Sequence, residues 1–268
     1  MENVHIVVIN PVIAKSLNGH ESKNLNLIKN GYQMLNFGTN FHTDMLCERY
    51  GGLSLKVNNN IYGPHDIYLR AISINFKNLE IFDITSVRNI EDHTIVSLFS
   101  ERANSLKSLK LPKYINTLSM DSIQILQNFR HLIELQIGNR MFRHRNENDS
   151  MWISVLSNLP KLKKLIIFNT GDSYFYTIFE NKKFGHLEEL EFKNDITLEA
   201  VDKNMLRTVA ENCPNLIKFV INGSVLIENE DLNVIQKLRK LCCFTVRNCK
   251  FITKDYIEKT FGKIGVFE

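Results

Sequence analysis

The sequence predicts an α/β fold in which one short strand-and-helix module is repeated along the chain. Two observations predict it. A six-residue apolar pattern recurs at steps of 25 to 30 residues, and the segments between its copies carry apolar residues at helical spacing. The anchor residues that open the seven clear copies are Leu79, Leu106, Leu132, Leu162, Leu187, Leu216 and Leu241.

Each copy places apolar residues at its first, fourth and sixth positions, as in Leu216, Phe219 and Ile221. Alternation between the fourth and sixth positions predicts a short strand with one buried face. A repeat of this length and pattern is the signature of a leucine-rich-repeat solenoid. We therefore expect a horseshoe with a parallel sheet on the concave side and helices on the convex side, because helices are wider than strands.

Residues 1–70 carry weaker copies of the pattern and are predicted to cap the array. Candidate strands lie within residues 4–9, 22–27 and 50–55, which brings the predicted strands to ten. Terminal repeats commonly depart from the consensus because they close the core against water. The predicted organisation is a single solenoid over residues 1–268, with capping repeats in 1–70, regular repeats in 71–253 and a C-terminal cap in 254–268 that begins with a helix at about 254–261.

The segments between the strands carry stripes of apolar residues that predict helices. Leu232, Ile235 and Leu238 recur at three-residue steps, as a helix with one buried face requires. Asn229 or Glu230 can begin this helix, because acidic residues in a first turn are favoured by the helix dipole. Similar stripes are formed by Ile90, Ile95 and Leu98, by Ile123, Leu126 and Phe129, and by Val201, Leu206 and Val209.

The composition favours an intracellular globular protein without a membrane partner. No apolar run approaches the roughly 18 residues that a membrane span needs. The N-terminus lacks the basic start and the cleavage site of a signal peptide. The chain has five cysteines, and because an odd number cannot all pair in disulfides, this count suits a reducing compartment. We therefore expect a cytoplasmic or nuclear protein whose cysteines fill small apolar slots.

The motifs that are missing favour binding over catalysis. No nucleophile elbow, phosphate loop, zinc-protease motif or dinucleotide-binding glycine pattern occurs, and the eight histidines are scattered. Cys242, Cys243 and Cys249 lack the spacing of a zinc site. We therefore expect no catalytic residue, cofactor or metal. The net charge of +4 is too small and too scattered to favour a nucleic-acid partner.

The concave face is the surface expected to bind a partner. In each copy the third, fifth, seventh and eighth positions face it while the leucines point inward. Ile166, Phe168 and Val220 are expected to form an exposed apolar centre within a polar rim, as in protein-recognition patches. The alternative is a solvated sheet on which Phe168 leans against a neighbour. The predicted partner-binding residues are Lys110, Gln136, Lys164, Ile166, Phe168, Glu189, Glu191, Lys218, Val220, Thr245 and Arg247.

Two other segments are weaker candidates for binding. A basic insert formed by Arg140, Arg143, His144 and Arg145 can hold phosphate or an acidic partner. A solvated loop is the simpler interpretation, since isolated charge runs usually have that role. The segment 262–265 matches the Gly-x-x-Gly of nucleic-acid-clamping loops, but four residues without the rest of that domain carry little weight.

The last two repeats resemble a known subclass. The segment Cys213-Pro214-Asn215-Leu216 and the later run Cys249-Lys250-Phe251-Ile252-Thr253 resemble the cysteine-containing leucine-rich repeats. The resemblance covers roughly residues 70–260 and is typical of F-box leucine-rich-repeat proteins, the substrate receptors of cullin–RING ubiquitin ligases. It implies a non-catalytic scaffold that recognises a protein, with ubiquitin-ligase subunits as further partners.

One feature of that family is missing from this chain. Residues 1–70 contain no Leu-Pro pair and the only tryptophan is Trp152, so the F-box that docks on the ligase is not found. Either the F-box lies outside this chain, or the protein does not join a ligase by that route. The alternative function is a stoichiometric inhibitor or regulator of an enzyme, without a ubiquitin link. Such a protein should carry one dominant sign of charge on its concave face.

Overall fold

The chain divides into two compact units, Met1–Leu132 and Ile133–Glu268. The structure is a computed structural model. It describes residues 5–8, 32–35, 54–57, 79–85, 92–112, 119–138, 148–168, 179–180, 183–193 and 201–267.

The described part of the first unit contains five short strands and two helices. All strand pairs described within it are parallel. The strands are β1 (His5–Val8), β2 (Tyr32–Leu35), β3 (Ser54–Val57), β4 (Ile81–Asp83) and β5 (Ser108–Lys110), and the helices are α1 (Asp92–Arg102) and α2 (Met120–Ile125), the second continuing as a 3-10 turn over Leu126–Asn128.

The N-terminal strands differ from the prediction in order and register. The order in the sheet is β2-β1-β3-β4-β5, whereas a stack of consecutive repeats would place β2 between β1 and β3. Strand β2 was not predicted, and the predicted strand at 22–27 lies outside the described residues. In β3, Leu55 pairs with Phe82, so it takes the fourth place of the pattern and not the predicted sixth.

The second unit contains six described strands, and every described pair among them is parallel. Its elements are β6 (Glu134–Gly138), α3 (Asn148–Ser157), β7 (Lys164–Phe168), β8 (Glu189–Lys193), α4 (Lys203–Asn212), β9 (Lys218–Glu228), a 3-10 helix over Asn229–Lys237, β10 (Cys243–Phe251), α5 (Lys254–Phe261), a 3-10 turn over Gly262–Ile264 and β11 (Gly265–Phe267). The predicted strands of these repeats are therefore confirmed.

A repeated turn fixes the start of each strand in the second unit. The residue three before each anchor is buried, and its carbonyl accepts the N–H of the anchor, as in Leu187 to Phe184 at 3.1 Å and Leu216 to Cys213 at 3.2 Å. Leu159 and Leu238 occupy the same place in their own repeats. The sequence pattern should therefore be extended to include this buried position.

One carbonyl in each repeat accepts two N–H groups from the next repeat. The carbonyl of Lys163 accepts from Glu188 and Glu189, both at 2.8 Å. The carbonyl of Glu188 in turn accepts from Ile217 at 2.7 Å and Lys218 at 3.0 Å. Since both bonds involve backbone groups, this link recurs whatever the side chains are, and it sets the parallel register of the strands.

The apolar positions of the pattern form the core. In β8 and β9 the residues Leu190, Phe192, Phe219 and Ile221 are at most 1% exposed. Aromatic rings continue along this side of the sheet, with centroids 5.9 Å apart between Phe192 and Phe219. Further along, the ring of Phe244 lies 4.7 Å from that of Phe261 on α5. Helix α5 therefore packs on the leucine side, and the opposite side of the sheet faces outward.

The helical stripes are largely confirmed, with one change of helix type. Leu232 and Ile235 are fully buried, but their segment is a 3-10 helix, whose three-residue turn matches their spacing better than an α-helix does. The predicted stripes of α2 and α4 are buried. In α1 the buried residues are Ile95 and Phe99, whereas Ile90 and the side chain of Leu98 lie outside the described residues.

The C-terminal segment adds a strand that the sequence did not predict. Helix α5 begins after Thr253, whose Oγ1 accepts the N–H of Tyr256, and the chain then returns to pair β11 with β10. A Cβ at Gly265 would lie 2.7 Å from Cγ2 of Ile257 and 2.8 Å from Cβ of Phe261. Glycine at this position therefore allows β11 to lie against α5.

We predict that Leu190→Asp unfolds the repeats around β8. The substitution removes a side chain that is 1% exposed and places an unpaired carboxylate in the core. The free energy of unfolding should fall by at least about 3 kcal/mol in a urea titration. The control Glu189→Asp, on the outward side of the same strand, should change it by less than about 0.5 kcal/mol. Equal stability of the two variants would show that this strand face is assigned wrongly.

We also predict an acid-sensitive turn at His186. Its ring lies 6.2 Å from that of Phe184, and burial lowers the pKa of the imidazole below its usual range. A lowered pKa in the folded state means that the unfolded chain binds the proton more readily, so stability is lost as pH falls below about 6.5. His186→Asn, which copies Asn215 of the next repeat, should lose less stability between pH 8 and pH 5. Identical losses in urea titrations of both proteins would contradict this role.

Candidate functional site

The outward side of the second unit's sheet is organised in three rows, which we call the sheet face. Each row takes one residue from each strand of β6 to β10, and neighbours in a row are register partners on strands about 4.8 Å apart. The first row is Glu134, Lys164, Glu189, Lys218 and Cys243; the second is Gln136, Ile166, Glu191, Val220 and Thr245; the third is Gly138, Phe168, Lys193, Asn222 and Arg247.

The predicted partner-binding residues of the second unit all lie on this face. Lys110 belongs to the first unit, where it pairs in register with Asp83 and is half-buried. The basic insert formed by residues 140–145 lies outside the described residues.

The first row alternates in charge from β6 to β9. The ammonium of Lys164 lies 3.1 Å from Glu134 Oε1 and 3.7 Å from Glu189 Oε2. Burial alone lowers the pKa of Lys164, but the hydrogen bond to Glu134 and the charges of the surrounding glutamates outweigh it and raise the pKa. Because these side chains remain partly exposed, the pairs orient the row more than they stabilise the fold.

The second row is the buried floor of the face. Gln136, Ile166, Val220 and Thr245 are each between 3% and 5% exposed. The prediction of an exposed apolar centre at Ile166 and Val220 is therefore wrong. Around Ile166 the register places Gln136 and Glu191 on either side, while Lys164 and Phe168 stand two residues away on the same face. Ile166 is therefore surrounded on its own face by four side chains, which accounts for its burial.

The third row combines an aromatic ring, two cations and an amide. The ammonium of Lys193 lies 5.6 Å from the centre of the Phe168 ring and 3.2 Å from Glu191 Oε1. Asn222 Oδ1 accepts a hydrogen bond of 2.9 Å from Asn248 Nδ2. Phe168 and Arg247 are half-buried. Of the three residues predicted to form an exposed apolar centre, only Phe168 is accessible at the surface.

A sharp corner ends the face after the third row in β9 and β10. Gly223 and Asn248 have left-handed φ values of 78° and 50°, and the register places them side by side. The next residues, Ser224 and Cys249, turn into the core. Ser224 Oγ donates to the carbonyl of Val201 at 2.8 Å. Ser224 therefore takes the same place in its repeat that Cys249 takes in the next.

The cysteines follow the prediction only in part. Cys213 and Cys249 are buried, and burial raises the pKa of both thiols. Cys242 is exposed and Cys243 is half-buried on the face, so the expectation that all cysteines fill apolar slots is wrong for these two. Cys47 lies outside the described residues.

Within the described ranges, no group of three or more His, Cys, Asp or Glu side chains is arranged to hold a metal ion. Of the helices that the structure describes, none has the length and apolar character to cross a membrane.

Comparisons with known proteins add little to the geometry. No family model matches the chain, and no curated protein matches it. A crystal structure of an internalin (inlF) from Listeria monocytogenes str. 4b F2365 aligns with 89% of this chain and 74% of its own, at 14% identity and a TM-score of 0.41. A likeness at this level supports no argument about function. The parallel strands, repeated turns and backing helices themselves define an α/β leucine-rich-repeat fold.

We predict that exposed cysteine thiols are alkylated before buried ones. In a Cys47→Ser background, Cys242 should be alkylated in the native protein, whereas Cys213 and Cys249 should react only after urea is added, because the thiolate is the reactive form and burial disfavours it. Peptide mapping by mass spectrometry after timed alkylation measures this order. Rapid native labelling of Cys213 would contradict its burial.

Proposed function

We propose that this chain is a non-catalytic scaffold that binds a protein partner on the sheet face. The observation that supports it is the filled floor beneath the outer rows. Because Ile166 and Val220 are buried beneath the outer rows, the face does not offer a partner an exposed apolar centre. It instead presents charged and aromatic side chains held in register on a stiff sheet, which suits a broad protein contact.

Within this function we propose a role in substrate recognition for a cullin–RING ubiquitin ligase. The support is the resemblance of the last repeats to the cysteine-containing subclass, together with the buried positions of Cys213 and Cys249. One repeat earlier, Ser224 occupies the place equivalent to that of Cys249, and its hydroxyl donates to the backbone carbonyl of Val201. The second candidate is a stoichiometric regulator of an enzyme. The alternating first row disfavours it, since such a regulator should present one sign of charge.

We predict that Phe168→Asp abolishes partner binding without unfolding the protein. Phe168 is the accessible aromatic group of the face, and aromatic anchors carry much of the energy of protein interfaces. The tagged variant and the wild type should be compared by affinity capture from cell extract with quantitative mass spectrometry. Arg207→Glu, exposed on α4, is the control and should capture the same proteins as the wild type.

Circular dichroism and a urea titration must show that both variants remain folded. Proteins retained by a folded Phe168→Asp variant at wild-type levels would count against the sheet face as the binding surface. Capture of cullin-ligase subunits by both proteins, with a substrate lost only from Phe168→Asp, would support the ligase role. Loss of a single enzyme captured in fixed ratio would support the regulator instead.

A further inference from the structure

Charge is distributed unequally between the three rows of the sheet face. The first row alternates in sign from β6 to β9, and its central lysine contacts an acid on each side. The second row carries one charged residue, Glu191, in its five positions. Both charged residues of the third row, Lys193 and Arg247, are cations. Among the residues of the face, positive charge is therefore concentrated in the third row.

The third row presents hydrogen-bond donors on three consecutive strands. Lys193 on β8 offers an ammonium and Arg247 on β10 offers a guanidinium, with Asn222 between them on β9. The bond from Asn248 to Asn222 Oδ1 fixes the amide, so its NH₂ group is the end left to donate. Ammonium, amide and guanidinium donors in a line are suited to carboxylates and to backbone carbonyls.

The spacing of the strands that carry these two cations favours one ligand conformation. Lys193 and Arg247 are two strands apart, which is about 9.6 Å at the usual strand separation. A polyproline II segment rises about 3.1 Å per residue with three residues per turn, so every third side chain lies on one side about 9.3 Å apart. A β-strand would place alternate side chains on one side about 6.6 Å apart, which fits the two cations less well.

We propose that the third row binds an acidic segment of the protein partner in polyproline II conformation. Its two carboxylates are three residues apart and contact Lys193 and Arg247, and an intervening carbonyl accepts from Asn222. An apolar side chain one or two residues away from the carboxylate bound by Lys193 packs on Phe168, which lies one strand further along. This inference rests on the proposed function and narrows the class of partner.

A nucleic-acid strand fits the same row less well. On β8 Glu191 lies in the second row, 3.2 Å from the ammonium of Lys193, and Glu189 lies in the first row of the same strand. A continuous phosphate backbone carries a charge at every nucleotide and would meet both carboxylates, whereas a single peptide carboxylate bound by Lys193 meets only Glu191. Polar backbone groups of a peptide also match the amide of Asn222, which lies between the cations.

Fluorescence anisotropy with synthetic peptides and the full chain tests this proposal. Three labelled peptides are needed: one with an apolar residue and two glutamates three apart, an isomer with adjacent glutamates, and a version with lysines in place of the glutamates. The first peptide should bind at least about tenfold more tightly than the other two at low salt, as one well-placed charged pair would provide. Equal binding of the three, absence of binding, or stronger binding of a single-stranded RNA oligonucleotide would overturn the proposal.

Charge reversal identifies the residues. Lys193→Glu and Arg247→Glu should each lower the affinity for the first peptide at least about tenfold. Arg207→Glu on α4 should leave that affinity unchanged. A peptide with lysine in place of the second glutamate should regain binding to Arg247→Glu, which a structural defect could not produce. If Arg247→Glu does not fold, Arg247→Gln and Lys193→Glu provide the same comparison.

Different experimental results would contradict this inference and the proposed function. If the captured partner depends on Phe168 but tolerates charge reversal at Lys193 and Arg247, the sheet face is the binding surface and the acidic segment is wrong. If the peptide series behaves as expected while Phe168→Asp retains the captured partner, the third row binds acidic peptides but the proposed partner surface lies elsewhere.

Discussion

The second unit depends on one recurring interaction, the backbone carbonyl that accepts two N–H groups from the next repeat. The carbonyls of Ile133, Lys163, Glu188 and Ile217 all have this role. The two donors of each link are the residue before the strand and the first residue of the strand, so the link fixes where pairing begins. A shift by one residue would turn every leucine outward, and the paired N–H groups prevent that shift.

The rows of the sheet face are a direct consequence of this register. Because each strand starts at the same place relative to the preceding one, residues at equal repeat positions stand side by side. Whether a side chain on the face is buried then depends in part on the residues two places before and after it on the same strand. Short side chains such as Val220 lie between the longer residues Lys218 and Asn222, while Ile166 lies between Lys164 and Phe168. Burial on the face therefore depends on the side chains around a position, on its own strand and on the neighbouring strands, and hydrophobicity at a single position does not determine it.

This explains which features can be predicted from the sequence. The leucine pattern depends on each repeat alone, so β6 to β10 and the buried stripe of α4 are predictable. The burial of Ile166 and Val220 depends on neighbouring strands and on the flanking residues of their own strands, so exposure judged position by position is wrong there. The order of β1 and β2 and the return of β11 depend on long-range pairing. Gly265 gave a signal for β11, because a glycine before two apolar residues allows close packing on a helix.

The same register separates residues that hold the face together from residues that can bind. In the first row, a partner carboxylate approaching Lys164 would have to displace Glu134 or Glu189, which already contact that ammonium. The gain from the new pair would be offset by the loss of the old one. In the third row Lys193 has one acid beside it and Arg247 stands at the corner formed by Gly223 and Asn248. Directly beyond the row in β9 and β10 stand Gly223, which has no side chain, and Asn248, whose amide bonds to Asn222, so neither places an acid against the row. Selectivity for charge should therefore arise at the third row, although the first row carries more charged residues.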